Sequence, residues 1–122
     1  MSVYDNAHRL KANLLKSDEY TEYQEIRKKI LDDENTKEML LDYQQMQIKL
    51  QTKQMSGQEL TDEDKEKLEN LRKIIELNNN IKKYLQAEYR MSIMLNDIQK
   101  IIFEDLEMGI SKDEDNGENT KD

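Results

Sequence analysis

Apolar residues recur three and four positions apart along most of the chain, the spacing that lines one face of an α-helix. Val3, Ala7, Leu10 and Leu14 mark a first helix that ends near Lys16, with Ser2 placed to cap its free amides. Ser17 and Asp18 supply a second cap. Tyr23, Ile26 and Ile30 then continue the same spacing through a second helix that stops around Asp32 and Asp33. These two elements read as a short helical hairpin.

Asn35 or Thr36 opens a third helix reaching about Met55, and Gly57 is placed to end it in the left-handed conformation. At ~100° per residue, Met39, Tyr43, Met46 and Leu50 fall on one face of this helix, while Leu41, Ile48 and Met55 fall nearly opposite. A helix apolar on two faces needs two partners. Glu59-Leu60 forms the next loop and Thr61, followed by Asp62, Glu63 and Asp64, starts a fourth helix. Its hydroxyl caps amides, and the carboxylates suit the positive helix end.

The fourth helix carries Leu68, Leu71 and Ile75 and loosens at a hinge, Asn78-Asn79-Asn80, because Asn competes for backbone hydrogen bonds. A last helix runs from about Ile81 to Met108. Ile81, Tyr84, Met91, Leu95, Ile98 and Ile102 follow heptad spacing in it, flanked by Ala87, Met94 and Ile101, a stripe wider than a two-stranded seam. Glu88 falls on the same stripe. Two readings of it stand side by side: an interfacial carboxylate that fixes register, or one that snorkels at the bundle edge. The domain expected is 1–109, followed by an acidic segment, 110–122, with the composition of a disordered tail.

Composition narrows the function classes. Of the 122 residues 38% are charged and 35% hydrophobic, with no proline and only three glycines to interrupt helices. The net charge of -8 disfavours direct nucleic-acid binding, which draws on clustered Lys and Arg, and the densest cluster, Arg27-Lys28-Lys29, sits among Glu25, Asp32 and Asp33. With no cysteine there is no disulfide, thiol nucleophile or thiolate-bound metal. The first residues lack the basic and apolar segments of a signal peptide, and no apolar run reaches spanning length, so a cytoplasmic protein with no membrane partner is expected.

Candidate chemistry is sparse. His8 is the single histidine and reads as a surface residue of the first helix. Counting an EF-hand loop from Asp113 puts Gly117 fifth where the sixth position is required. Neither a Gly-rich phosphate loop nor a nucleophile elbow nor a zinc-protease signature is present, and the many carboxylates form no distinct acid/base couple. No enzymatic activity, cofactor or metal is expected. The seven methionines suit core filling or an adaptable binding surface.

Two stretches carry a family resemblance: 47–57, reading Gln-Ile-Lys-Leu-Gln-Thr-Lys-Gln-Met-Ser-Gly and followed by Glu59-Leu60-Thr61, and 87–95, reading Ala-Glu-Tyr-Arg-Met-Ser-Ile-Met-Leu. In their order and spacing they resemble the YlbF/YmcA-like family, in particular its YheA-type branch, from about Val3 to Leu106. The resemblance implies a self-associating helical bundle from bacteria of the Bacillus type with a regulatory or adaptor role. Better-known members join a complex affecting competence, sporulation and biofilm formation, linked to messenger-RNA processing, and are associated with cysteine-ligated iron–sulfur clusters. This chain has no cysteine to offer one.

The expectation is therefore an all-α bundle of four to five helices with a long C-terminal helix, acting as a non-enzymatic interaction protein. Its partners are a second copy of itself, as a dimer or alternatively a tetramer, and another helical protein. The expected interface comprises Leu41, Ile48, Met55, Glu88, Met91, Leu95, Ile98 and Ile102. The alternative suggested by the family is a regulator of RNA processing that touches RNA directly, which lacks its basic stripe with interleaved aromatics here.

Overall fold

A computed structural model describes residues 2–110 of the chain. Among the described residues it is all-α, with five helices: α1 (Val3–Leu15), α2 (Asp18–Leu31), α3 (Glu34–Met55), α4 (Asp62–Glu76) and α5 (Asn79–Phe103). The acidic tail expected from 110 onward lies, from 111, outside the described residues.

Short polar side chains set nearly every boundary. Ser2 accepts from the Asp5 amide at 3.1 Å while the Asp5 carboxylate accepts from the Ser2 amide at 3.3 Å, so two free donors are satisfied reciprocally. Ser17 serves both of its neighbours: its hydroxyl donates to the Leu14 carbonyl at 2.7 Å and accepts from the Tyr20 amide at 3.2 Å. In α2, Asp18 and Glu19 occupy the first turn and Lys28 and Lys29 the last, matching the helix dipole at both ends.

α3 begins earlier than Asn35 or Thr36. Asp33 is the cap, because its carboxylate accepts from the Asn35 and Thr36 amides at 3.2 and 3.5 Å and from the Thr36 hydroxyl at 3.0 Å. The last bond satisfies the hydroxyl of Thr36, which is buried. At the other end the Gln58 amide reaches the Lys53 carbonyl at 2.8 Å and the Gly57 amide the Gln54 carbonyl at 3.3 Å, a Schellman closure. That closure needs the positive φ of +76° which Gly57 provides.

Thr61 caps α4 through a second reciprocal pair, the Asp64 amide to its hydroxyl at 3.0 Å and its own amide to the Asp64 carboxylate at 3.3 Å. Thr61→Ala is expected to lower stability by roughly 1 kcal/mol in urea unfolding, the usual contribution of a threonine cap. The asparagine triplet resolves as a break between helices. Asn78 lies outside both and accepts from the Ile81 amide at 3.0 Å, the bond of an N-cap, while Asn79 and Asn80 already belong to α5.

The chain divides into two units at the Ser92/Ile93 boundary, inside α5. In the first, Ile26 and Ile30 of α2, Leu40 of α3, Ile75 of α4 and Ile81, Tyr84 and Ala87 of α5 form one buried cluster, edged by Tyr23, Met39, Tyr43 and Leu85. Ile81 is 0% exposed and sits deepest. Within this unit α1 packs on α2, α2 on α3 and α3 on α4, yet every residue of α1 stays at least partly exposed.

In the second unit α5 ends at Phe103, before the expected Met108. Two further turn-like bonds follow, the Glu104 amide to the Lys100 carbonyl at 2.8 Å and the Leu106 amide to the Phe103 carbonyl at 3.0 Å. Glu104, Asp105 and Glu107 follow in quick succession, and negative side chains at the negative end of the helix dipole disfavour further turns.

Candidate interaction surface

The two-faced pattern of α3 separates cleanly in three dimensions. Leu40 and Met46 are buried and Met39, Tyr43 and Leu50 half-buried on the inner side. On the outer side Leu41 is 45% exposed, Ile48 64% and Met55 82%. Spaced seven residues apart, these three run in a line along one helix. Leu40 is the inner residue that spacing alone did not place, because it lies beside the line through Met39, Tyr43 and Met46; it is buried in one cluster with residues of α2, α4 and α5.

On α5 the stripe expected from the heptad pattern changes character along its length. Ile81, Tyr84 and Ala87 are buried, Met91, Met94 and Ile98 half-buried, and Leu95, Ile101 and Ile102 exposed at 45%, 70% and 49%. Glu88 is exposed. The structure thus sets Met91, Leu95, Ile98 and Ile102 along one helix face and Leu41, Ile48 and Met55 along another helix.

Polar organisation inside the first unit went unread in the sequence. Asp64 is buried, and its carboxylate takes ion pairs from Lys49, at 3.1 Å, and from Lys53. The Lys53 ammonium, then Lys49 and the Thr61 cap hold this carboxyl well below the usual carboxylate range, against the opposing effect of burial. In sequence Asp64 looked like an ordinary first-turn acid. The available signal was Lys49 and Lys53 four apart, one turn of α3, ahead of a short turn that brings the start of α4 back alongside them.

The phenol oxygens of Tyr23 and Tyr84 share a hydrogen bond at 2.9 Å, with ring centroids 5.3 Å apart. Burial first, then the Tyr23 hydroxyl, pushes the Tyr84 phenol above its ordinary range, so Tyr84 keeps its proton at physiological pH. Tyr84→Phe is expected to cost about 1 kcal/mol, the net contribution of one such bond, in the same unfolding assay. Arg90 pairs with Glu22 across α5 and α2. The groove beside that pair mixes Glu25, Lys29 and Lys83, so neighbouring charges of both signs leave it without a distinct preference for anions or cations.

Among the described residues no three His, Cys, Asp or Glu side chains stand close enough together to hold a metal ion, and no helix is long and apolar enough to cross a membrane. What the geometry does offer is apolar surface. Isolated exposed apolar residues are ordinary on a protein, whereas aligned ones on a helix are the form in which helices recognise one another.

A UPF0342 protein of Halothermothrix orenii is 54% identical over 114 residues, covering 93% of this chain and 97% of the relative. A UPF0342 protein of Bacillus pumilus is 31% identical over 116 residues, covering 95% and 98%. A solved structure described as a protein of unknown function (DUF964) from Bacillus stearothermophilus superposes with a TM-score of 0.70 at 20% identity, over 84% of this chain and 90% of that one, and shares its fold. The family described as "Control of competence regulator ComK, YlbF/YmcA" matches residues 3–107, and the chain belongs to that family.

Proposed function

We propose that this chain is a non-enzymatic, cytoplasmic adaptor that works as a homodimer and binds another helical protein. The observation that carries the reading is the outer line of α3, Leu41, Ile48 and Met55, left uncovered on a helix whose opposite side is packed into the core. Met55 and Ile48 offer thioether and branched surface that repacks readily around a helical ligand. Membership of a family described by regulation of competence supports a role exercised through protein contacts.

Solution mass by light scattering across concentration tests the self-association. A dimer at micromolar concentration is expected, and a monodisperse monomer overturns it. Ile48→Arg places a charge in the middle of the α3 line; it is expected to leave the helical content unchanged and to abolish capture of a helical partner. Retention of the same partner by Ile48→Arg overturns the assignment of that face.

A further inference from the structure

We infer that the helix this chain captures is an acidic amphipathic one, which seats a single large apolar side chain in a pocket between α2 and α3 and sets a carboxylate beside it against Arg27 and Lys37. The inference rests on the helix-binding reading of α3 and names the chemistry of the partner.

A pocket of about 130 Å³ opens at the start of the outer α3 line, with Leu41 in its wall. Ile30, Leu40 and Tyr84 contribute buried surface to it, and the Tyr84 hydroxyl is already engaged with Tyr23. Each of two helices adds one cation and one leucine: Arg27 and Leu31 lie one turn apart on α2, and Lys37 and Leu41 one turn apart on α3. Both leucines are 45% exposed. Four such side chains around an apolar base form the kind of hole that receives a knob from a facing helix. Size decides between occupants. Sites for metabolites hold roughly 300–1,000 Å³, whereas an apolar cavity of about 150 Å³ takes one benzene ring. This pocket therefore suits one side chain of a partner. Leu41, Ile48 and Met55 continue from it along α3, so a helix laid on that line meets the pocket and the apolar ledge in one register.

Charge fixes the partner's sign. In a chain with 27 acidic and 19 basic residues, the wall of this pocket contains two cations and no acid. Among the described residues neither Arg27 nor Lys37 takes part in an ion pair, and Lys37 is half-buried. A cation that is partly desolvated and unmatched gains most from an incoming carboxylate. Glu34 and Glu38 fall on the other side of the Leu41 line and take no part in the wall. Farther along, Gln44, Gln45, Gln51 and Thr52 flank the line without charge, so discrimination by charge resides at the pocket end. On a partner helix, an Asp or Glu three or four residues from the knob reaches this rim. The chain's own acidic segment, 111–122, has the charge but contains no apolar side chain to fill the pocket. A separate protein helix supplies both.

Fluorescence anisotropy of the full chain with labelled peptides tests the partner's chemistry. The probes are alanine-based helices about three heptads long, with leucine at every seventh position and Glu, Gln or Lys four residues after each leucine. The Glu peptide is expected to bind about tenfold more tightly than the Gln peptide and the Lys peptide more weakly still, with the differences shrinking as salt rises. Arg27→Glu/Lys37→Glu is expected to invert that order at unchanged helical content by circular dichroism, since an acid near the start of α3 suits the helix dipole. An inverted preference is a readout that loss of folding does not produce. Three peptides that bind alike, each weakened by Ile48→Gln, overturn the acidic partner and leave the α3 face standing. If none of them binds, the face and the partner fall together. Sedimentation velocity gives one more outcome: a Glu peptide that splits a dimer of the parent into monomers assigns the pocket to a second copy and overturns this inference.

Discussion

Ile81→Ala is expected to lower the unfolding free energy by about 3–4 kcal/mol, in the upper part of the range for truncating a buried isoleucine. The side chain is 0% exposed and belongs to the buried cluster to which α2, α3 and α4 also contribute. It also lies three residues after the Asn78 cap, so a cavity here loosens the first turn of α5 together with the core. In thermal unfolding the loss corresponds to a drop on the order of 10–20 °C for a domain of this size. Because a self-associating chain unfolds with a concentration-dependent midpoint, parent and variant are compared at one concentration. Ile101→Ala is the contrast: at 70% exposure it is expected to change the stability of the chain's own fold by less than about 0.5 kcal/mol. A loss under about 1 kcal/mol for Ile81→Ala would place the core elsewhere.

Periodicity made the helices legible because each is long and amphipathic, and capping residues made most of their starts legible because Ser2, Ser17 and Thr61 are the first side chains able to reach the free amides. The misplaced boundaries have a common origin. At the start of α3 several adjacent residues are competent caps, and Asp33 prevails over Asn35 and Thr36 by reaching the amides of both. At the end of α5 the apolar residues Leu106 and Met108 continued the pattern, but the intervening acids oppose the helix dipole there. Sequence spacing sees side chains and is blind to that end charge.

The same blindness applies to the sites. The outer line of α3 was visible because Leu41, Ile48 and Met55 keep a single helical phase over two full repeats, a property of one helix alone. The Tyr23 and Tyr84 pair was not, because it joins residues 61 positions apart and depends on how α2 and α5 meet. Apolar surfaces of single helices are thus readable from local order, whereas polar partnerships need the tertiary arrangement. The distal half of α5 falls between these cases: its apolar spacing is local, and only the structure shows that Leu95, Ile101 and Ile102 stay exposed.

Asp64→Asn is expected to give the largest destabilisation of any single charge removed from the chain, and to do so in a pH-dependent way. The side chain has two tasks at once. It completes the cap of α4 with Thr61, and it gathers Lys49 and Lys53 of α3 onto the start of the next helix, so it holds the α3–α4 turn closed. Asparagine keeps the shape and an acceptor for the cap but removes the charge, leaving the Lys53 ammonium, whose side chain is 19% exposed, without its counter-ion. The sign of the pH effect follows from the direction of the shift. The folded-state pKa lies below the ordinary 3.8, so the folded protein holds its proton less tightly than the unfolded chain, and stability rises with pH across that interval. The contribution is complete once the pH is well above 3.8 and is lost as the pH falls from there toward the depressed folded value. Urea midpoints of parent and Asp64→Asn should therefore differ by a constant amount at neutral and mildly acidic pH and converge as the solution becomes strongly acidic. Lys53→Met in the Asp64→Asn background should recover part of the loss, since it removes the stranded charge while retaining the apolar stem. A gap between parent and variant that stays the same in strong acid would mean that the carboxylate acts only as a cap, and that the two lysines contribute nothing to closing the turn.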